Sequence, residues 1–179
     1  MLDLSLKFLT VLFAGVTVWR ALAEYKQNRI QREKDLRWKQ AEAAKKIIDE
    51  WLEEPLAFNV CKMIEYENRY FTNEEGKKFH VNTELIKLAL SIEQDDNHLN
   101  QVNNRYVRDA FDSFLYYCEL MNQGLQSQLY LIEDLKFPLN YYLLKMKEKK
   151  LFDCVAKYAK ENLYNGALRL FERMSKEFN

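Results

Sequence analysis

From Phe8 to Trp19 the chain carries no charged residue, reading FLTVLFAGVTVW. At about 1.5 Å per residue this run makes about 18 Å of helix, short of a hydrocarbon core of about 30 Å. Leu2, Leu4 and Leu6 before it and Ala21, Leu22 and Ala23 after it lengthen the apolar stretch. Lys7 and Arg20 can reach the two interfaces, and Trp19 and Tyr25 suit the aromatic belt. The pattern predicts a transmembrane helix over 1–23. Its anchor residues are Phe8, Leu9, Val11, Leu12, Phe13, Val16, Val18, Trp19 and Arg20. Two other readings fit the same letters. Ala21-Leu22-Ala23 resembles the small-residue cleavage site of a secretory leader, but Met1 to Lys7 holds one Lys and one Asp and is barely basic. The segment also fits a helix buried in a domain or lying in the interface. Arg20, Lys26, Arg29, Arg32, Lys34, Arg37 and Lys39 then follow closely, against Glu24, Glu33 and Asp35. The positive-inside rule places that side in the cytoplasm. The expectation is a single pass through the inner membrane with the C-terminal domain cytoplasmic.

No Gly or Pro falls between Val16 and Glu54, so the helix is expected to continue. Residues 24–37 are polar almost all round, with Ile30 and Leu36 as the apolar breaks. They read as a charged stalk, solvated or lying along anionic lipid. At Trp38 a stripe begins, Trp38, Ala41, Ala44, Ile48, Trp51 and Leu52, spaced by three or four. The globular domain is placed from here, over 38–179. Pro55 ends this helix or opens the next. Leu56, Val60, Met63 and Ile64 form a helical face up to about Arg69. The polar stretch FTNEEGKKFHVN reads as an exposed loop. Thr83 is the expected N-cap of ELIKLALSIEQ, with Leu85, Leu88, Ala89 and Ile92 inward. After the break DDNHLN, a long helix is expected from about Gln101 to Asn122, with Gly124 as its C-cap. Ser127 is expected to cap a short helix ending before Phe137-Pro138. Pro138 opens another, and two last helices split near Asn165-Gly166. The fold class is all-α: a transmembrane helix, a charged stalk and a compact bundle of about six helices.

Composition agrees with this reading. Four Gly and two Pro in 179 residues are few for a β-rich domain. Net charge is zero, so no global basic field attracts nucleic acid, and none is expected as a partner. Cys61, Cys118 and Cys154 are widely spaced, which suits buried thiols better than a disulfide framework or a zinc site.

Candidate chemistry is sparse. The chain holds no Walker loop, dinucleotide fingerprint, H-E-x-x-H or nucleophile elbow, and no cofactor is expected. Glu93, Asp95, Asp96 and His98 could together hold a cation, but their spacing matches no ligand pattern and a solvated acidic turn fits as well. Arg105 and Asp109 are four apart, as are Arg108 and Asp112. Each pair would support a helix by about 0.2–0.5 kcal/mol. With Tyr106, Tyr116 and Tyr117 they could instead line a polar ligand pocket. The tyrosine-rich stretches FLYY and NYYLL read as core and rim.

The segments RWKQAEAAKKIIDEWLEEPLAFNVCKMIEYENRYF, RDAFDSFLYYCELMNQGLQS and DLKFPLNYY resemble a group of uncharacterised bacterial proteins. These have one N-terminal membrane helix, a charged helical stalk and a small cytoplasmic α-domain. The resemblance spans about Trp38 to Tyr142 and rests on packing motifs. It implies architecture and bacterial origin, and it brings no catalytic residues. The expected function is a non-enzymatic, membrane-tethered interaction or sensing module. Its expected partners are the lipid bilayer and a protein, or a second copy through the anchor and stalk. Thr10 and Ala14, and Thr17 and Ala21, are small-residue pairs that permit close helix contact. The alternatives are an oligomerising membrane effector, by analogy in antiphage defence, and a helical enzyme of unrecognised type.

Overall fold

The computed structural model describes residues 2–66, 68–73, 75–91 and 102–178, with the backbone alone for 2–12 and 14. The acidic group Glu93, Asp95, Asp96 and His98 lies outside the described residues, as does Ile92. So do the side chains of Phe8, Leu9, Val11 and Leu12. The chain divides into two units, residues 1–39 and residues 40–179.

The first helix, α1, runs Leu2–Glu53. In the first unit every described side chain on it is exposed, including Phe13, Val16, Val18, Trp19, Leu22 and Tyr25. Among the described residues no helix is long and apolar enough to cross a membrane. Half of the charge-free run from Phe8 to Trp19 lies in the part described by backbone alone.

In the second unit α1 turns apolar. Ala41 is exposed, as is Trp38 in the first unit, whereas Ala44 is buried and Trp51 has no exposed surface. The Trp51 ring lies 5.7 Å from Phe114 and 5.9 Å from Tyr142. α2 begins directly at Pro55 and ends at Glu65. Pro suits the first helical position, where its missing N–H has no partner to lose. Glu54 supplies the N-cap, accepting from Ala57 N at 2.7 Å.

The stretch expected to be a loop is a β-hairpin. β1 (Arg69–Thr72) pairs antiparallel with β2 (Lys78–Val81), placing Phe71 opposite Phe79. The turn is organised by Asn73, whose Oδ1 accepts from Glu75 N at 3.1 Å and Lys77 N at 2.9 Å. Gly76 takes φ 74°. Strands of four residues are too short for alternation to register, and the polar turn hides two buried rings.

α3 spans Thr83–Leu90. Its cap is Asn82, one residue before the expected Thr83, accepting from Leu85 N at 2.8 Å. The buried face is Ile86, Ala89 and Leu90, so Leu88 is exposed. The central helix α4 runs Val102–Gln126 and packs against α2, α3 and the last helix. A 3₁₀ turn at Ile132–Leu135 leads into α5 (Lys136–Glu148), then α6 (Phe152–Glu161) and α7 (Asn165–Phe178). Seven helices are thus described, and the domain is helical around one apolar core. Ser127 caps no following helix. Its hydroxyl donates to the carbonyls of Gln123 and Gly124 at the end of α4.

Gly124 lies inside α4 rather than at its C-cap. A Cβ there would strike the Tyr130 ring and hydroxyl. Tyr130 folds back over this point and donates to the carbonyls of Leu120 and Met121. Ala is about 1 kcal/mol better than Gly in a helix interior, yet Gly124→Ala is expected to destabilise by about 1–3 kcal/mol, because overpacking wins. In a Tyr130→Ala background the same substitution should stabilise. Chemical denaturation of the four chains checks the change of sign.

Candidate functional site

The polar residues singled out on the long helix sit on α4, and each has a definite place. Arg108 turns to the end of α3, where its guanidinium donates to the carbonyls of Ala89 and Ser91. Those carbonyls are left without helical partners by the end of α3, and a cation there also suits the helix dipole. Asp112 accepts from the hydroxyls of Tyr158 at 3.0 Å and Tyr164 at 3.2 Å. It thereby ties α4 to α6 and to the loop before α7. Tyr106 accepts from Asn59 Nδ2 at 2.7 Å, and its ring packs 5.4 Å from Phe79 and 6.3 Å from Phe71. Asp109 is half-buried. Arg105 is exposed, and so is Tyr116 at 54%. Tyr116 packs edge-on against the half-buried Tyr117 at 5.8 Å. The seven residues therefore do not converge on one pocket. Arg108, Asp112 and Tyr106 are engaged with the fold, and Arg105 and Tyr116 face solvent.

Three further side chains complete this set. Ser113 donates to Glu54 Oε2 at 3.0 Å, fastening the α1–α2 junction to α4. Glu119 accepts from the backbone N–H groups of Gly166 and Ala167 at the start of α7. A carboxylate is favoured at a helix N-terminus, where it meets unpaired donors and the positive end of the dipole. A Cβ on Gly166 would press on the end of that carboxylate, so a larger residue there would have to shift Glu119. Asn73 reaches from the hairpin turn to donate to Asn103 Oδ1 at 3.0 Å. None of the three had a readable signal, whereas Glu54, the partner of Ser113, did: an acidic residue immediately before a helix-opening Pro.

An open groove of about 540 Å³ lies beside the start of the domain. One wall is α1, with Ala43, Lys46, Ile47 and Glu50. The other is the end of α4 and the turn after it, including Leu120, Leu129 and Tyr130. Gln40 Nε2 closes one edge by donating to the Gln128 carbonyl at 3.1 Å. The groove is apolar at its floor with one cation and one anion on its rim.

The thiols and several tyrosines are held neutral. Burial pushes Cys61 up to about 12 and raises Cys118 well above its ordinary value. Burial likewise pushes Tyr130 to about 12. Tyr164 also reaches about 12, through burial first and then the Asp112 carboxylate beside it. Tyr158 and Tyr142 are raised mainly by burial. Among the described residues no cluster of His, Cys, Asp and Glu is arranged to hold a metal ion. No protein-family model, curated protein or solved structure matches this chain.

These acids have folded pKa values above their unfolded ones, so the folded state holds its protons more tightly. Their stabilising contribution is complete below the ordinary values of 9.0 for Cys and 10.0 for Tyr and is lost as pH climbs towards about 12. Denaturation midpoints measured across that window should fall steeply above pH 9. Asp112→Ala should cost about 1.5–3 kcal/mol at neutral pH, the usual contribution of hydrogen bonds to a charged group. It should also lower the titration midpoints of Tyr158 and Tyr164, read from tyrosinate absorbance.

Proposed function

We propose that this chain is a membrane-tethered interaction module, with its N-terminal helix in the inner membrane and its helical domain on the cytoplasmic side. One observation carries the reading. Phe13, Val16, Val18 and Trp19 point to different sides of α1, and all are exposed, Phe13 at 73%. A helix that is apolar on every side belongs in a packed core or in lipid, and these side chains are in no core. The charge-free run from Phe8 extends the same character towards the N-terminus, and Arg20 closes it. The resemblance to small single-pass bacterial proteins agrees. The domain contributes a surface rather than a reaction: the groove between α1 and the end of α4 combines an apolar floor with a polar rim, the usual make-up of a binding patch.

The test is fractionation of the full chain beside one lacking residues 1–23. The full chain should stay in the membrane pellet after alkaline carbonate extraction. The shortened chain should be released with its helical circular dichroism intact. Protease added to the outside of spheroplasts should leave the domain uncut. Release of the full chain by carbonate, or a mature N-terminus at Glu24 left by cleavage after Ala23, would overturn the reading.

A further inference from the structure

Zero net charge conceals a division. Residues 20–39 hold seven basic side chains against three acidic ones, whereas residues 40–179 hold nineteen basic and twenty-three acidic. The positive charge is also ordered on the helix surface. Tyr25, Arg29, Arg32 and Leu36 are spaced by four, three and four, so they share one face of α1. With Asn28 and Glu33 they line a hollow of about 270 Å³. Tyr25 and Leu36 stand at its ends, 70% and 59% exposed. Arg29 Nε donates to Glu33 Oε1 at 3.0 Å, and Arg32 is exposed beside it. Glu24 and Asp35 lie off this face, and Asp35 accepts from Gln31 Nε2 at 2.8 Å.

We propose that this face binds the phosphate headgroups of anionic phospholipid. The inference rests on the tethering reading and names the lipid that the tether meets. Two guanidiniums against one carboxylate leave the hollow positive, and a guanidinium presents donors in the planar fork that phosphate oxygens accept. Tyr25 suits the interfacial layer, with a ring for the acyl boundary and a hydroxyl for the headgroups. The same spacing would also suit a coiled-coil seam with a second copy. Two copies sharing one membrane would run parallel, and Arg29 and Arg32 would then face their own counterparts. Like charges pressed together oppose that pairing, whereas an anionic surface meets them with opposite charge.

Distance adds a constraint. Arg29 and Arg32 lie about 14 and 18 Å along the axis from Arg20. The screening length at physiological salt is about 8 Å. An upright helix keeps both beyond reach. Spanning helices incline by about 20° on average and by up to about 40°. A lean near the upper end of that range, towards the Arg29–Arg32 face, lowers the two positions to about 11 and 14 Å, from which the long side chains reach down to the headgroups. The face therefore sets the direction in which the helix leans.

The experiment reconstitutes the full chain in vesicles of phosphatidylcholine alone and in vesicles that also contain phosphatidylglycerol. Flotation reports tethering, and trypsin cleavage after Lys34 and Arg37 reports contact of the stalk with the surface. The chain should float with both vesicles, and cleavage should be about 25-fold slower on the anionic ones, because Arg29 and Arg32 near such a surface each contribute about a factor of five. The difference should vanish at about 1 M salt, where screening acts within about 3 Å. It should shrink in the double variant Arg29→Gln, Arg32→Gln, whose cleavage is read at the same two bonds. Flotation with both vesicles and equal cleavage rates would overturn the headgroup inference while leaving the tether intact. Protection that rises with protein density in neutral vesicles would assign the face to a second copy and overturn it too. Flotation with neither vesicle would remove the tether, and the inference with it.

Discussion

A helix end buried in a domain leaves backbone groups that must find partners, and here a single helix provides them at two such ends. α4 sends Arg108 to the C-terminal carbonyls of α3 and Glu119 to the N-terminal amides of α7. Ser113 holds the carboxylate that caps α2. Asp112 collects two tyrosines from the α6–α7 region. These polar side chains lie beside an apolar stripe of Phe111, Phe114, Leu115, Cys118 and Met121 that forms the middle of the core. The same helix thus supplies burial and sets the register of its neighbours. Ridge-and-groove packing alone tolerates sliding by a turn. A carboxylate fixed on two amides does not.

That role explains which parts of the molecule were legible in the sequence. The helical class followed from scarce Gly and Pro and from spacing, and Pro55 marked a junction that the structure places at that residue. The stripe on α4 was readable because every third or fourth residue is large and apolar. The charged residues between those positions were ambiguous. Arg108 and Asp112 have the spacing of a helix-surface ion pair and the chemistry of a binding site, and the structure gives them backbone carbonyls and tyrosine hydroxyls as partners. Their partners lie 17 to 52 residues away, in elements whose placement no local pattern reveals.

Other differences have the same origin. Gly124 looked like punctuation because a glycine near the end of a helical pattern usually is. It is instead a clearance for a ring six residues further on. The hairpin was hidden because its buried rings, Phe71 and Phe79, are embedded in a stretch rich in Lys, Glu and Asn, and the aromatic support they need comes from Tyr106 on α4. Glycine and short strands take their meaning from tertiary neighbours, so these are the features that local reading loses first.

The three thiols give the molecule an internal clock for its own opening. Cys61 and Cys118 are sealed in the core and Cys154 is half-covered, its Sγ 3.9 Å from the Lys87 carbonyl. A thiol must be exposed and ionised to react. Alkylation of the two core positions therefore waits for cooperative separation of α2 from α4, whereas Cys154 needs only a local fluctuation of α6. One chain thus carries reporters of both global and sub-global unfolding, on a single chemical scale and without an added probe.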